Sequence, residues 1–138
     1  MTTPVTATIL EALAARAAGA PEVLDELWAP RSTSWRSYDG RETTLDARQR
    51  QDLARSEWSL FRQAMPDFTW TTELQPVGDG SQILELASWH GTNGTDNAAV
   101  ELCLIYRLTD QRIARIEMYC DAQQMLALRN ILHKGHNH

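Results

Sequence analysis

Asp121 stands where two periodicities meet, and its neighbours decide what a carboxylate there can do. Ile113, Arg115, Glu117 and Tyr119 alternate with Ala114, Ile116, Met118 and Cys120, the period of a strand with one mostly polar and one apolar or small face. From Ala122 onward Met125, Leu126, Leu128 and Leu132 recur at helical spacing, so Asp121 joins a last strand to a last helix. In Asp121-Ala-Gln-Gln124 the carboxylate has a plain reading as a helix N-cap, with Gln124 at the third helical position. At the mouth of an apolar cavity the same group would be a general acid or base, because partial burial raises a carboxyl pKa towards the working range. The two roles are compatible.

His90 is the only histidine inside an expected strand, on a face with Leu84, Leu86 and Ser88. Its titration near neutral pH makes it the natural proton partner for a carboxylate across the sheet, although a lone strand-end histidine is more often an ordinary polar residue. Arg107 and Glu117 read first as a cross-strand ion pair on an exposed or interface face. Five tryptophans and three tyrosines are a rich aromatic complement for 138 residues; most belong to the core, and two or three can line a pocket for a flat apolar ligand. His133, His136 and His138 fall in a polar tail over 133–138 with no acidic or cysteine partner nearby, so it reads as disordered and no metal site is expected. Gly91-Thr-Asn-Gly94 lacks the lysine and following helix of a phosphate loop, and there is no Gly-x-Ser-x-Gly elbow.

The elements that must position these residues follow from composition and pattern. The chain has 138 residues, 43% of them hydrophobic, enough for one domain with a real core and too few for two. A net charge of -5 without any Lys/Arg cluster argues against a nucleic-acid surface. No apolar run approaches the roughly 20 residues of a spanning helix, and Met1 to Pro4 lacks the plan of a signal peptide, which points to a cytoplasmic protein with no membrane partner. Cys103 and Cys120 read as buried thiols in a reducing compartment, a disulfide between neighbouring strands being the lesser alternative.

Thr8 to Ala18 is Ala- and Leu-rich and ends at Gly19, a first helix; Glu22 to Trp28, after Pro21, is a second. Thr33 to Tyr38 is a short strand or extended loop closed by Asp39-Gly40. Thr43 with Asp46 has the spacing of a capping box opening a long third helix, with Leu45, Leu53, Trp58, Phe61 and Met65 on one face up to Pro66. Phe68 to Leu74 and Gln82 to His90 form a hairpin around Gly78-Asp-Gly80, Gly91 to Asn97 is a loop, and Ala98 to Leu108 is the most apolar strand, turning at Thr109 to Gln111 into the last strand. Helices first and a meander of strands last define an α+β layout, helices on one face of a curved sheet. Both faces of Ala98 to Leu108 and of Ile113 to Cys120 carry apolar residues, so a homodimer through the outer sheet face is expected.

Four stretches in this order, Ile9 to Pro30, Met65-Pro-Asp-Phe68, Trp89-His-Gly-Thr-Asn-Gly94 and Ile113 to Asp121, resemble the SnoaL-like domains of the nuclear transport factor 2-like superfamily, over roughly Ile9 to Leu132. The resemblance implies a single domain over 1–132, a cone-shaped α+β barrel in which a strongly bent, mainly antiparallel sheet wraps N-terminal helices around an apolar pocket. It also implies polyketide cyclases, ketosteroid isomerases, limonene epoxide hydrolases and dehydratases as relatives, commonly homodimers, without metal or organic cofactor. Asp121 matches the carboxylate that ends the last strand in the cyclases and epoxide hydrolases. The Arg-x-Asp of the hydrolases reads Ser88-Trp-His90 here, and the Gly-Thr-His-x-Gly of the cyclases reads Gly91-Thr-Asn-Gly-Thr95, with Arg107 where the cyclases carry a histidine.

The function so implied is cofactor-independent acid/base chemistry, a cyclisation, isomerisation or dehydration, on a small apolar oxygenated substrate such as a polyketide of secondary metabolism. Asp121 would abstract a proton next to a carbonyl, and His90 or Tyr119 would donate to the enolate oxygen. Trp35, Tyr38, Trp58, Phe61, Met65, Ser88, Tyr106 and Arg107 are the expected substrate-binding residues. An epoxide hydrolase or epoxide-opening cyclase, and a non-catalytic ligand-binding or dimerisation module, are the alternatives. Substrate identity is not written in the sequence.

Overall fold

The computed structural model describes residues 4–136. Its elements are α1 (Pro4–Ala17), a single 3₁₀ turn (Pro21–Leu24), β1 (Trp28–Arg36), β2 (Glu42–Asp46), α2 (Ala47–Ala64), β3 (Thr69–Val77), β4 (Gln82–Asn93), β5 (Asp96–Thr109), β6 (Arg112–Cys120) and α3 (Ala122–His136). The six strands form one curled sheet in the order β2-β1-β6-β5-β4-β3, antiparallel throughout except for the parallel pair β1/β6. This is the α+β layout the sequence predicts.

Local chemistry explains where the helices stop and start. α1 closes with the N–H of Ala20 on the carbonyl of Ala15 and that of Gly19 on Arg16, a Schellman end in which Gly19 takes φ 104°, a conformation without penalty only for glycine. α2 opens on Asp46, whose carboxylate accepts from the Gln49 amide at 2.8 Å while the Gln49 side chain accepts from the Asp46 amide at 2.9 Å. The capping box therefore lies three residues after the one expected at Thr43. Thr43 to Leu45 are taken instead by β2, where Thr43 pairs with Ser34 and Leu45 with Ser32, and a strand partner outcompetes the local cap.

Two further expectations change for the same reason, long-range pairing, and a third because the last helix runs on. The second helix is cut to Pro21–Leu24, because Trp28 starts a strand alongside Ile113 and the Leu27 carbonyl accepts from the Ile113 amide at 2.8 Å. The expected loop Gly91 to Asn97 is mostly ladder: Gly91 pairs with Ala98 and Asn93 with Asp96, leaving Gly94 and Thr95 as the turn. Gly91 is required there, since a Cβ would sit 2.7 Å from the Met65 sulfur. The expected tail also shrinks, because α3 continues to His136; His138 lies outside the described residues.

The concave face of the sheet is apolar and carries two clusters. Ile9, Leu13, Leu24, Trp28, Ile83, Leu104, Tyr106 and Ile113 pack under α1, and Trp58, Phe61, Met65, Phe68, Trp89, Val100, Leu102, Met125, Leu128 and Ile131 pack under α2 and α3. Burying a Leu, Ile or Phe side chain is worth about 1.5–3 kcal/mol, so these clusters anchor the helices to the sheet. A register shift at Arg107/Leu108 lets Ile113 and Ile116 both face inward, which strict alternation in β6 would forbid. Between the clusters the helices do not close on the sheet, and a cavity remains.

Candidate functional site

The cavity has a volume of about 380 Å³ and draws its wall from α1, β1, β2, α2, the sheet interior and α3. Phe61, Trp70, Trp89, Leu104, Met118 and Leu128 make it apolar, while Arg16, Arg36, Arg50, Glu57, Tyr106 and Arg129 bring charge and hydrogen bonding. Two other hollows are larger, about 580 Å³ on the outer sheet face and about 530 Å³ between α2 and α3, but each is a shallow surface groove. Of these three, the interior cavity is the one walled by several elements.

Its floor is a buried polar network centred on Glu85, which is fully buried. β4 turns Ile83, Glu85, Ala87 and Trp89 inward, so Glu85 enters the core because of its phase in the strand. Arg16 reaches it from the apolar stripe of α1, Nη2 to Oε1 at 2.7 Å; Tyr106 donates to the same oxygen at 2.5 Å; Thr72 and the Trp70 indole donate to Oε2 at 2.8 and 3.1 Å. The Arg16 guanidinium also lies over the Trp70 ring, 4.4 Å from its centroid. Four donors on one carboxylate offset the large cost of removing it from water. Burial, reinforced by Glu85 and opposed by Arg16, pushes the Tyr106 hydroxyl well above the ordinary tyrosine range, so it stays a donor. For Arg16 burial works against the charge, but Tyr106 and Glu85 outweigh it and hold the guanidinium protonated.

On the helix wall, Arg50, Leu53, Glu57 and Phe61 follow one another at helical spacing along the inner face of α2. Glu57 also borders the groove between α2 and α3 and is exposed to solvent, so it stands at the mouth of the cavity. Burial raises its pKa above the usual carboxylate range against the opposing pull of Arg16 and Arg50, and access from the mouth tempers that push. Among the described residues no cation forms an ion pair with it. Tyr38, in the turn after β1, also lines the cavity, its ring flanked by the guanidinium groups of Arg36 at 4.8 Å and Arg129 at 6.0 Å. Burial raises its hydroxyl pKa, Arg36 and Arg129 opposing, which keeps it protonated near neutrality.

The residues singled out from sequence separate into two groups. Tyr38, Phe61 and Tyr106 line the cavity; Trp58 is buried behind it at a small recess beside Arg16 and Arg50, and Met65 is sealed in the core under Gly91. Trp35 borders the cavity, but its ring stands edge-on to Tyr119, 5.3 Å away. Asp121 is exposed and turned onto the helix, accepting from the amides of Gln123 at 2.8 Å and Gln124 at 3.0 Å, which is the capping geometry. His90 is exposed on the outer sheet face, with Nε2 3.6 Å from Glu101; Ser88 donates to Glu101 beside it. Tyr119 lies on that outer face as well, 40% exposed. Arg107 pairs with Glu117 at 3.1 Å, and Glu117 in turn with Arg115, the cross-strand ion pairing read from the sequence. Asp121, His90 and Tyr119 are therefore not gathered at the cavity.

Arg16, Arg50, Glu57 and Glu85 were not singled out from sequence, and two of them left a trace there. Glu85 interrupts the inward phase of Ile83, Ala87 and Trp89, and Arg16 falls on the stripe of Ile9, Leu13 and Ala17. A charge in phase with a core face is the signal. For Arg50 and Glu57, on a helix rich in charge all round, no such signal stands out.

Three helices, a six-stranded curled sheet and an interior cavity define a small α+β cone with a pocket at its centre. The chain belongs to the SnoaL-like domain family, whose model matches residues 9–116. Solved structures share the fold: an epoxide hydrolase of the limonene-epoxide-hydrolase-like kind from M. tuberculosis (16% identity, 96% of this chain and 92% of that one, TM-score 0.61), IdmH from Streptomyces antibioticus, proposed to be a polyketide cyclase (21%, 93% and 99%, 0.63), and a protein of ketosteroid-isomerase-like fold from Catenulispora acidiphila (18%, 94% and 95%, 0.61). No curated protein sequence matches significantly. Identities this low establish the fold and leave the reaction open. Among the described residues no helix is long and apolar enough to cross a membrane.

Proposed function

We propose that this chain is an enzyme that moves protons on a small, apolar, oxygenated molecule held in the interior cavity, in a cyclisation, isomerisation or dehydration. The observation that carries this reading is Glu57: a carboxyl at the mouth of an apolar cavity, with a raised pKa and no ion-pair partner among the described residues. Such a group accepts a proton from carbon near neutral pH and returns it elsewhere on the substrate, a step that contributes about 10²- to 10⁴-fold. Asp121 keeps its role as helix cap in this reading.

Tyr38 is the hydroxyl donor to the oxygen on which charge develops as Glu57 removes the proton next to a carbonyl. The Arg36 and Arg129 guanidinium groups over its ring favour that developing charge. The Arg16–Glu85–Tyr106 floor is held by its own hydrogen bonds, so its part is to shape the cavity and exclude water. The test is hydrogen–deuterium exchange at the carbon next to the carbonyl of 2-tetralone, followed by NMR in heavy water. Wild type should accelerate it and Glu57→Gln should lose at least ~10²-fold. Undiminished exchange by Glu57→Gln would remove the assignment, and turnover of styrene oxide without ketone exchange would move the protein to epoxide opening.

A further inference from the structure

Arg50 is 5% exposed, and its hydrogen bonds all end on neutral oxygens. Nε donates to the Ser32 hydroxyl at 2.7 Å, and Nη2 to the carbonyls of Ser32 at 3.2 Å and Thr43 at 3.4 Å. Among the described residues no carboxylate reaches ion-pair distance of it, and Nη1 has no acceptor. A buried guanidinium normally has an anion beside it, because the cost of its desolvation is otherwise uncompensated. This one instead lines the cavity.

The rest of the wall leans the same way. Arg16 is matched by Glu85, and Arg36 by Asp39, which Arg129 also faces, whereas the only carboxylate near Arg50 on the cavity wall is Glu57. The cavity and its immediate partners thus hold an excess of positive charge within a chain of net charge -5. An occupant carrying one negative charge satisfies the free edge of Arg50, and a neutral hydrocarbon does not.

We propose that the cavity takes an organic carboxylate: a flat, apolar acid whose carboxylate sits on the free edge of Arg50 and whose rings lie against Phe61, Trp70 and Trp89. This rests on the reading of the cavity as the reaction site and narrows its substrate to an anionic class. The competing role of Arg50 is purely structural, tying α2 to Ser32 and Thr43 of the first two strands.

The experiment is calorimetric titration of the full chain with 2-naphthoate and with its neutral isostere 2-naphthamide at pH 7.5. Wild type should bind the acid at least tenfold more tightly than the amide. Arg50→Gln should abolish that preference while the amide affinity stays within twofold, and Arg50→Lys, which keeps the charge, should retain part of it. Equal binding of acid and amide by wild type, or a preference that survives in Arg50→Gln, would overturn the proposal and leave Arg50 as a structural tie. Should Arg50→Gln fail to fold, the wild-type comparison decides alone. Binding of neither probe overturns it together with the cavity reading, whereas loss of ketone exchange in Glu57→Gln without an acid preference would spare that reading and sink only this one.

Discussion

Arg16 and Glu85, 69 residues apart in the chain, meet at 2.7 Å in the core, with the carboxylate fully buried and Tyr106 bonded to both. Each is tolerable there only because of the other. Removing one partner strands a buried charge, so Arg16→Met or Glu85→Leu should each cost about 3–5 kcal/mol, while the double variant should cost clearly less than their sum. Urea denaturation of the four proteins measures this. Additive losses would mean that the two do not act as a pair.

The raised pKa of Glu57 has a consequence for stability. A carboxyl whose pKa is higher in the folded than in the unfolded state contributes stability that is fully present below the unfolded value and is lost as pH rises through the folded value. Glu57→Gln, which cannot ionise, should therefore melt higher than wild type at pH 8 and lose that advantage by pH 4. In the proposed reaction the same carboxyl must be deprotonated, so turnover should rise with pH through a value above the ordinary carboxylate range. Parallel melting curves for the two proteins between pH 4 and 8 would contradict the shift.

At Asp121 the geometry predicts a structural effect alone. Asn caps about as well as Asp, so Asp121→Asn should leave both melting temperature and proton exchange near wild type, and Asp121→Ala should lose roughly 1 kcal/mol of stability. His90→Asn, on the outer face, should also leave exchange intact. A drop of tenfold or more in exchange for either Asn variant would return these residues to the reaction.

The outer sheet face carries Leu86, 49% exposed, and Tyr119, 40% exposed, around the groove that Cys103 and Thr71 also line. We propose this face as the contact of a homodimer, since apolar side chains standing out of a sheet are stabilised by a second copy. Light scattering at micromolar concentration should give twice the chain mass, and Leu86→Asp should return it to the monomer. A monomeric wild type would end the proposal.

Much of the fold is legible from residues a few places apart. The alternation from Ile113 to Cys120, the helical spacing after Ala122, the Gly78-Asp-Gly80 turn and the apolar run of β5 are local patterns with local causes. The Arg107–Glu117 pair was also readable, being set by the register of one hairpin. Where a segment had two possible partners the local signal lost: Thr43 to Leu45 went to β1 instead of the helix, and Gly91 to Asn93 stayed in the ladder by pairing with Asp96 to Ala98.

The amino-acid sequence by itself determined the order of helices and strands, the family and the aromatic character of the interior, because periodicity and turn chemistry act over a few residues. Only the tertiary structure decided which carboxylates face the cavity. Asp121 could cap or point inward, and in the folded chain it accepts from its own helix amides. Glu85 was taken inward by the phase of β4, and it is stable there because α1, far away in sequence, lays Arg16 beside it. Arg50 and Glu57 are cavity residues because α2 packs its Phe61 face against the curled sheet. The curl of that sheet is set by all six strands together, which no short stretch of the chain encodes.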